Sequence, residues 1–335
     1  MSLFPGAREQ FAYLNDARIT EEVPLAPFTR FAIGGPAALF FDTAEEAAFI
    51  EGLRSAAALS IPHVVVGGGT NLVVSDRGFP GIVLRYTGAK VRRENNLLIA
   101  EAGAVLQDVV DQSITFGLRG LETMTGIPGC LGGAVYGNAG AYGHSIEEIL
   151  QSVKIFDGSH TRTLENGECR FSYRESIFKH RKDWIILSAT MQFESSDSSE
   201  LARTATGIRV IRDAKYPRSM KCAGSIFKNL LIADLPPHVM AEIPQKLIRD
   251  RKVPSAWFLE QVGAKGIRRG DIQVADYHAN LIYNDGAGTA ADLVSTIREL
   301  KLRVCNRFKL ELEEEVQYIG FDVQSMISGD ALQTK

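Results

Sequence analysis

"VVVGGGTNLVVSDRGFPGIVLR", running from Val64 to Arg85, sets three glycines between two apolar, β-branched runs. Glycine offers no side chain to pack and costs backbone entropy. Gly67, Gly68 and Gly69 at a strand-to-strand turn therefore imply that something approaches the backbone closely. Consecutive amides in such a turn form a nest that can cradle a pyrophosphate without a lysine. A second stretch, "GIPGCLGGAVYGNAGAYG" from Gly126 to Gly143, offers the same service through Gly126-Ile127-Pro128-Gly129, Gly132-Gly133 and Asn138-Ala139-Gly140. Pro128 stiffens the turn while its neighbours supply donors. One cluster alone reads as a tight turn needing positive φ. Two clusters with almost no charge inside them favour a bulky dinucleotide against bare backbone.

The chain has 335 residues, which is too long for one ordinary core and predicts two or three domains. With 45% hydrophobic and 23% charged residues it has the composition of a soluble globular protein. Thirty-seven basic against 40 acidic residues leave a net charge of -3. That gives no electrostatic basis for nucleic acid or an anionic membrane as partner. No apolar run is long enough to span a bilayer, and "MSLFPGAREQ" lacks the regions of a signal peptide, so a cytoplasmic protein is expected. The four cysteines (Cys130, Cys169, Cys222, Cys305) are scattered without a C-x-x-C, which predicts reduced thiols and no metal site.

Short strands and helices alternate without a parallel βαβ rhythm, which predicts an α+β fold. Helices are expected in "TAEEAAFIEGLRSAAAL" from Thr43, in "LQDVVDQSITFG" closed by Gly117, in "SAWFLEQVG", and from Thr289 to about Phe308. Polar, serine-rich "FESSDSSELA" from Phe193 is the best candidate boundary between domains. The expected division is a first cofactor-binding subdomain at 1–88, a second at 89–205, a substrate-binding domain at 206–320 and a polar tail at 321–335 that frays. No G-x-x-x-x-G-K-[ST] is present. Gly286-Ala287-Gly288-Thr289-Ala290-Ala291 imitates a Rossmann fingerprint, with Glu311 near the ribose-binding position. The plainer reading makes Thr289 and Asp292 a capping box after an Asp-Gly turn.

Three motifs, "PLAPFTRFAIGGPAALFF" (Pro24 to Phe41) and the two glycine stretches, arrive in an order that resembles the FAD-binding half of the UDP-N-acetylenolpyruvoylglucosamine reductase family. The likeness continues through "FSYRES", "GSIFKN", "GAKGIRRGDIQVADYHANLI" and "LEEEVQYIG", from about Val23 to Gly320. It implies the vanillyl-alcohol-oxidase (PCMH) type of FAD-binding fold with a C-terminal α/β substrate-binding domain. It also implies that Gly67, Gly68, Gly69, Thr70, Asn71 and Leu72 lie against FAD. Gly126, Ile127, Pro128, Gly132, Gly133, Asn138 and Gly140 complete that set. With no histidine in the glycine-rich turns where covalent attachment is usual in this fold, the FAD is expected to be non-covalent.

The family reduces the enolpyruvyl ether of UDP-N-acetylglucosamine to the lactyl ether, with NADPH as co-substrate and no obligate protein partner inferred. Its chemistry requires a cation on the carboxylate, a group that stabilises the enol, and a proton donor at the α-carbon. Arg174 in "FSYRES" matches the family arginine, whose fork can grip a carboxylate; on its own the hexapeptide also allows an ion pair with Glu175. Ser225 in "GSIFKN" matches the proton donor, with Lys215 or Lys228 available to polarise it; without the match it reads as a turn residue. In "LELEEEVQYIG" a strand would put Glu311, Glu313 and Glu315 on one face, and periodicity leaves all three open. The family motif selects Glu315. Tyr173, Lys215, Asn229 and His278 match positions near the substrate or NADPH, although a lone histidine is more often simply packed or solvent-facing.

The short interval between Arg174 and Ser225 resembles the shorter type of the family, which lacks a tyrosine-bearing insertion. "SMKCAGS" also puts Lys221 and Cys222 where neutral residues are usual. Two rivals share parts of the pattern: an FAD-dependent sugar or lactone oxidase on the same fold, and a non-catalytic flavin-binding module. Neither requires Arg174, Ser225 and Glu315 together.

Overall fold

A computed structural model describes residues 11, 14 and 16–321. The chain divides into two compact units. The first comprises the chain through Val23, Ala37–Gly69 and Pro80–Arg218; the second comprises Pro24–Pro36, Thr70–Phe79 and the chain from Ser219 on. Most of the expected polar tail, residues 322–335, lies outside the described residues. No helix among the described residues is long and apolar enough to cross a membrane.

The first unit contains two larger sheets. Four strands run in the order Arg18–Pro24, Pro36–Thr43, Phe79–Tyr86, His63–Val66. The last two pair in parallel, with Val64 opposite Val83 and Val66 opposite Arg85. Ile82, Val83 and Leu84 are all fully buried, as expected of a strand covered on both faces. Helix Glu46–Ala58 packs Phe49, Leu53 and Ala56 into a core shared with Leu39, Phe41, Ile82 and Leu84. Five antiparallel strands form the other sheet, in the order Thr161–Glu165, Leu150–Phe156, Ile185–Gln192, Leu97–Glu101, Val91–Glu94. Its core takes Val109 and Val110 from helix Leu106–Thr115, which stops just before Gly117 (φ 66°).

The boundary expected at 205/206 falls inside helix Ser198–Lys215, which belongs to the first unit throughout. The polar stretch from Phe193 is not a linker. Glu194–Ser195 pairs with Leu118–Arg119, and Asp197 caps the helix by accepting the Glu200 amide at 2.9 Å. Serine and aspartate were rich there because a helix start needs acceptors.

In the second unit, helix Ala290–Phe308 buries Leu293, Val294, Ile297, Leu300, Val304 and Phe308 along one stripe. Against it lie the antiparallel strands Arg268–Arg269, Ile272–Val274 and Ile282–Asn284, with Phe258 from helix Ser255–Gln261. The early segments contribute to this core through Phe31, Ile33 and Val73. Strand Leu72–Val74 pairs in parallel with Gln317–Ile319. Only these last three residues of "LELEEEVQYIG" form a ladder. Upstream, strand-like backbone pairing is confined to bonds with residues 226–228, including a single bridge between Phe227 and Glu314. The alternation survives without a full strand: Leu310, Leu312 and Val316 are buried, Glu311 and Glu313 exposed.

Candidate functional site

In the first unit the two glycine clusters meet. A Cβ on Gly68 would lie 2.9 Å from Gly129 Cα, and one on Gly67 would lie 2.5 Å from Cys130 Sγ. No side chain fits between the two turns, so backbone faces backbone there. Gly69 is left-handed at φ 62°. Neither the Gly68 nor the Gly69 amide has a hydrogen-bond acceptor among the described residues. Such donors, in a turn free of charged side chains, fit the pyrophosphate of FAD. Ile127 and Pro128 lie on the same connected loop, while Gly132 and Gly133 belong to the short helix Leu131–Tyr136; Gly132 packs on Ala102, its amide donating to the Ala102 carbonyl at 2.8 Å. Thr70, Asn71 and Leu72 follow the nest but belong to the second unit.

Asn138 has its side chain committed inside the protein. It is 1% exposed, and its Nδ2 donates to the Ser172 carbonyl at 2.8 Å. That bond holds the tight turn 172–175, closed by Ser172 and Glu175 bonding each other's backbones. Arg174 sits in this turn in a left-handed conformation, φ 59°. Its Nη2 donates to the Gly140 carbonyl at 2.8 Å, and its guanidinium carbon lies 5.3 Å from the Tyr173 ring centre. Glu175 is close to Lys179 (3.4 Å) and His180 (3.5 Å). The structure thus brings Arg174 and Tyr173 to the end of the second glycine cluster. Lys215 ends its helix with its amine 5.0 Å from the Tyr216 ring centre.

The second unit brings Ser225, Asn229, His278 and Glu315 onto irregular segments that flank its strands. Ser225 follows Gly224 (φ 83°) and bridges Leu281. Beyond it the chain is clamped on both sides. On one side Ile226 donates to the Asn280 carbonyl and Phe227 to Asn280 Oδ1; on the other, Glu315 donates to the Ile226 carbonyl at 2.7 Å. Asn280 is 2% exposed, and its Nδ2 reaches Phe227 O and Ser255 Oγ. His278 Nδ1 accepts the Asn280 amide at 3.2 Å, so this histidine shapes the loop opposite Ser225. Asn229 Oδ1 accepts the Ser255 amide at 3.3 Å. Cys222 is buried, which pushes its thiol up and keeps it protonated. Lys221 turns away to the Gly286 carbonyl.

Glu311 and Glu314 face Lys301, and Glu313 pairs closely with the buried Lys228. The Glu315 backbone is held on both sides, its amide donating to the Ile226 carbonyl and its carbonyl accepting Asn71 Nδ2 at 2.7 Å. Sequence reasoning missed these supports. Nothing local in the sequence pairs Asn71 with a residue 244 positions away.

The Rossmann look-alike is a capped helix start. Thr289 Oγ1 accepts the Asp292 amide, as the plainer reading expected. The two preceding amides are also taken, Ala290 by Asp76 Oδ1 at 2.8 Å and Ala291 by Asp76 Oδ2 at 3.0 Å. Asn284, 3% exposed, binds the turn by accepting the Gly286 and Gly288 amides. A protein carboxylate thus occupies the donors that a dinucleotide would need there.

Two families match parts of the chain. A family described as an FAD binding domain matches residues 37–163. Residues 216–319 match the UDP-N-acetylenolpyruvoylglucosamine reductase C-terminal domain. The chain is 53% identical over 311 residues to the UDP-N-acetylenolpyruvoylglucosamine reductase of Solibacter usitatus, covering 93% of this chain and 100% of that one. It is 30% identical over 312 residues to that of Clostridium perfringens strain SM101, covering 92% and 96%. The crystal structure of the Thermus caldophilus reductase superposes with a TM-score of 0.71 at 27% identity, covering 90% of this chain and 99% of that one.

Proposed function

This chain belongs to the UDP-N-acetylenolpyruvoylglucosamine reductase family, and from that premise we propose how its residues divide the reaction. The protein uses NADPH to reduce UDP-N-acetylglucosamine enolpyruvate to UDP-N-acetylmuramate, a peptidoglycan precursor. FAD, when bound, carries the hydride from NADPH to the vinyl methylene carbon. Arg174 grips the substrate carboxylate, where charge accumulates once the hydride has arrived. Its left-handed turn and the bond to Gly140 support this role by fixing the guanidinium before substrate binds. Glu315 stabilises the enol, and Ser225 delivers a proton to the α-carbon from one side, so that a single stereoisomer forms. Tyr173, Lys215, Asn229 and His278 complete the substrate-binding set. Gly67–Gly69 and the 126–140 cluster hold the cofactor.

The observation that carries the assignment is the bond from Glu315 N to Ile226 O, one residue from Ser225. It holds the proposed enol stabiliser and the proposed proton donor in fixed register. The test is anaerobic stopped-flow absorbance on Ser225→Ala. Flavin reduction by NADPH should keep its rate, because the serine takes no part in that step. Reoxidation by the enolpyruvyl substrate should slow by about 10²- to 10⁴-fold, the usual loss for a positioned general acid. Ordinary reoxidation would remove Ser225 from the mechanism.

A further inference from the structure

Arg212, in the last turn of helix Ser198–Lys215, forms no salt bridge among the described residues. Its Nε is buried and has no hydrogen-bond partner among the described residues. The neighbouring carboxylate, Asp213, reaches Arg218 instead, at 3.4 Å. The Tyr216 ring lies 5.5 Å from the guanidinium carbon, a contact too weak to offset burial of the charge. Burial lowers the affinity of this guanidinium for its proton, outweighing the opposing pull of nearby Tyr216, Tyr142 and Asp213.

The place where Arg212 lies points to what compensates it. A Cβ on Gly126 would come within 3.2 Å of Arg212 Cδ and Nε and 3.6 Å of Arg209 Nη1. Gly126, at φ 81°, opens the second glycine cluster. Just before it in the chain, Thr123 Oγ1 and Thr125 Oγ1 are also buried without a partner among the described residues. Buried polar groups are nearly always satisfied, so an unpartnered guanidinium and two hydroxyls at one cofactor loop call for an external acceptor. We propose that Arg212, supported by Arg209 and Thr125, receives a negatively charged oxygen of bound FAD. That oxygen belongs either to the pyrophosphate or to the pyrimidine edge of the reduced flavin ring. The inference rests on the FAD reading but not on the assignment of Arg174, Ser225 and Glu315.

The experiment uses holoenzyme and no substrate, so failure of the proposed proton donor leaves it intact. FAD release on dilution is followed by flavin fluorescence for wild type, Arg212→Met, Arg212→Lys and Thr125→Val, and each two-electron potential is measured by dye equilibration. Losing a charge-assisted bond should weaken FAD binding roughly tenfold to a hundredfold in Arg212→Met. Arg212→Lys, which keeps the charge, should fold and recover part of the loss. If the partner is the pyrophosphate, both redox states loosen equally and the potential stays put. If it is the ring edge, the reduced state loosens more, and each extra tenfold lowers the potential by about 30 mV. Unchanged FAD affinity and potential in both Arg212 variants would overturn the proposal and make the residue structural. A raised KM for NADPH with normal FAD affinity would overturn it too, since the anion would then be NADPH's.

Discussion

Asp76 provides the sharpest quantitative test of how the second unit is held together. Its two carboxylate oxygens accept the first two amides of a 19-residue helix, and Thr289 takes the third. Asp76→Ala leaves Ala290 and Ala291 without their acceptor and removes a negative charge from the positive end of the helix. A lost cap costs about 0.5–2 kcal/mol. Loss of the charge at the dipole adds about 0.3–1 kcal/mol. The expected destabilisation is therefore about 1–3 kcal/mol, with Asp76→Asn losing about half because one amide oxygen can still accept. The readout is built into the chain, which has two tryptophans. Trp257 belongs to the second unit and lies 5.7 Å, ring to ring, from Phe308 at the end of the same helix. In a Trp184→Phe background, urea unfolding followed by Trp257 fluorescence reports this unit alone. At 1 M salt the Debye length is about 3 Å, so the Asn variant should move towards wild type while the Ala variant keeps most of its deficit. An Asp76→Ala midpoint indistinguishable from the parent would refute the reasoning. The Thr289 cap would then suffice for the helix start.

Three further outcomes follow from other parts of the structure. Gly68→Val pushes a side chain into the Gly129 backbone, an overpacking of about 1–3 kcal/mol, and should weaken FAD binding about 10- to 100-fold while the fold survives; a normally yellow protein at equal flavin content rules this out. Asn280→Ala removes three buried hydrogen bonds and should destabilise the second unit by roughly 2–4 kcal/mol, checked by the same Trp257 titration. Burial, with Glu168 and Glu165 adding to it, pushes the Cys169 thiol up to about 12. Native protein should therefore react promptly with a disulfide reagent at the exposed Cys305, while Cys169 and the likewise buried Cys222 need denaturant. The unfolded thiol ionises near 8.5, so the stability that protonated Cys169 contributes is complete below that pH and declines as pH rises towards 12. Prompt native labelling of Cys169 at pH 8 contradicts the assignment.

The parts of the site legible in the sequence are those whose chemistry is local. Gly67–Gly69 and the 126–143 stretch announce a backbone-lined pocket because glycine has so few other uses at that density. Thr289 and Asp292 announce a helix start because their bond spans three residues. Periodicity could not choose among Glu311, Glu313 and Glu315, and the lysines beside two of them, Lys301 and Lys228, come from other elements. The bonds that Asn71, Asp76 and Asn280 make gave no signal, since each reaches a distant part of the chain. The stretch from Phe193 misled because the same polar residues that make linkers also make helix caps.

The second unit's early segments set a schedule for biosynthesis. Phe31, Ile33 and Val73 are emitted early, yet the core that covers them is built mostly from residues beyond Ser219. Asn71 waits for a partner synthesised 244 residues later. At about 5–20 residues per second, that interval is roughly 12–50 s. Throughout it the segments Pro24–Pro36 and Thr70–Phe79 lack most of the core that finally covers them. Ribosome speed over residues 219–320, and any chaperone that shields Pro24–Pro36 meanwhile, therefore bear directly on how much of this reductase reaches its native state.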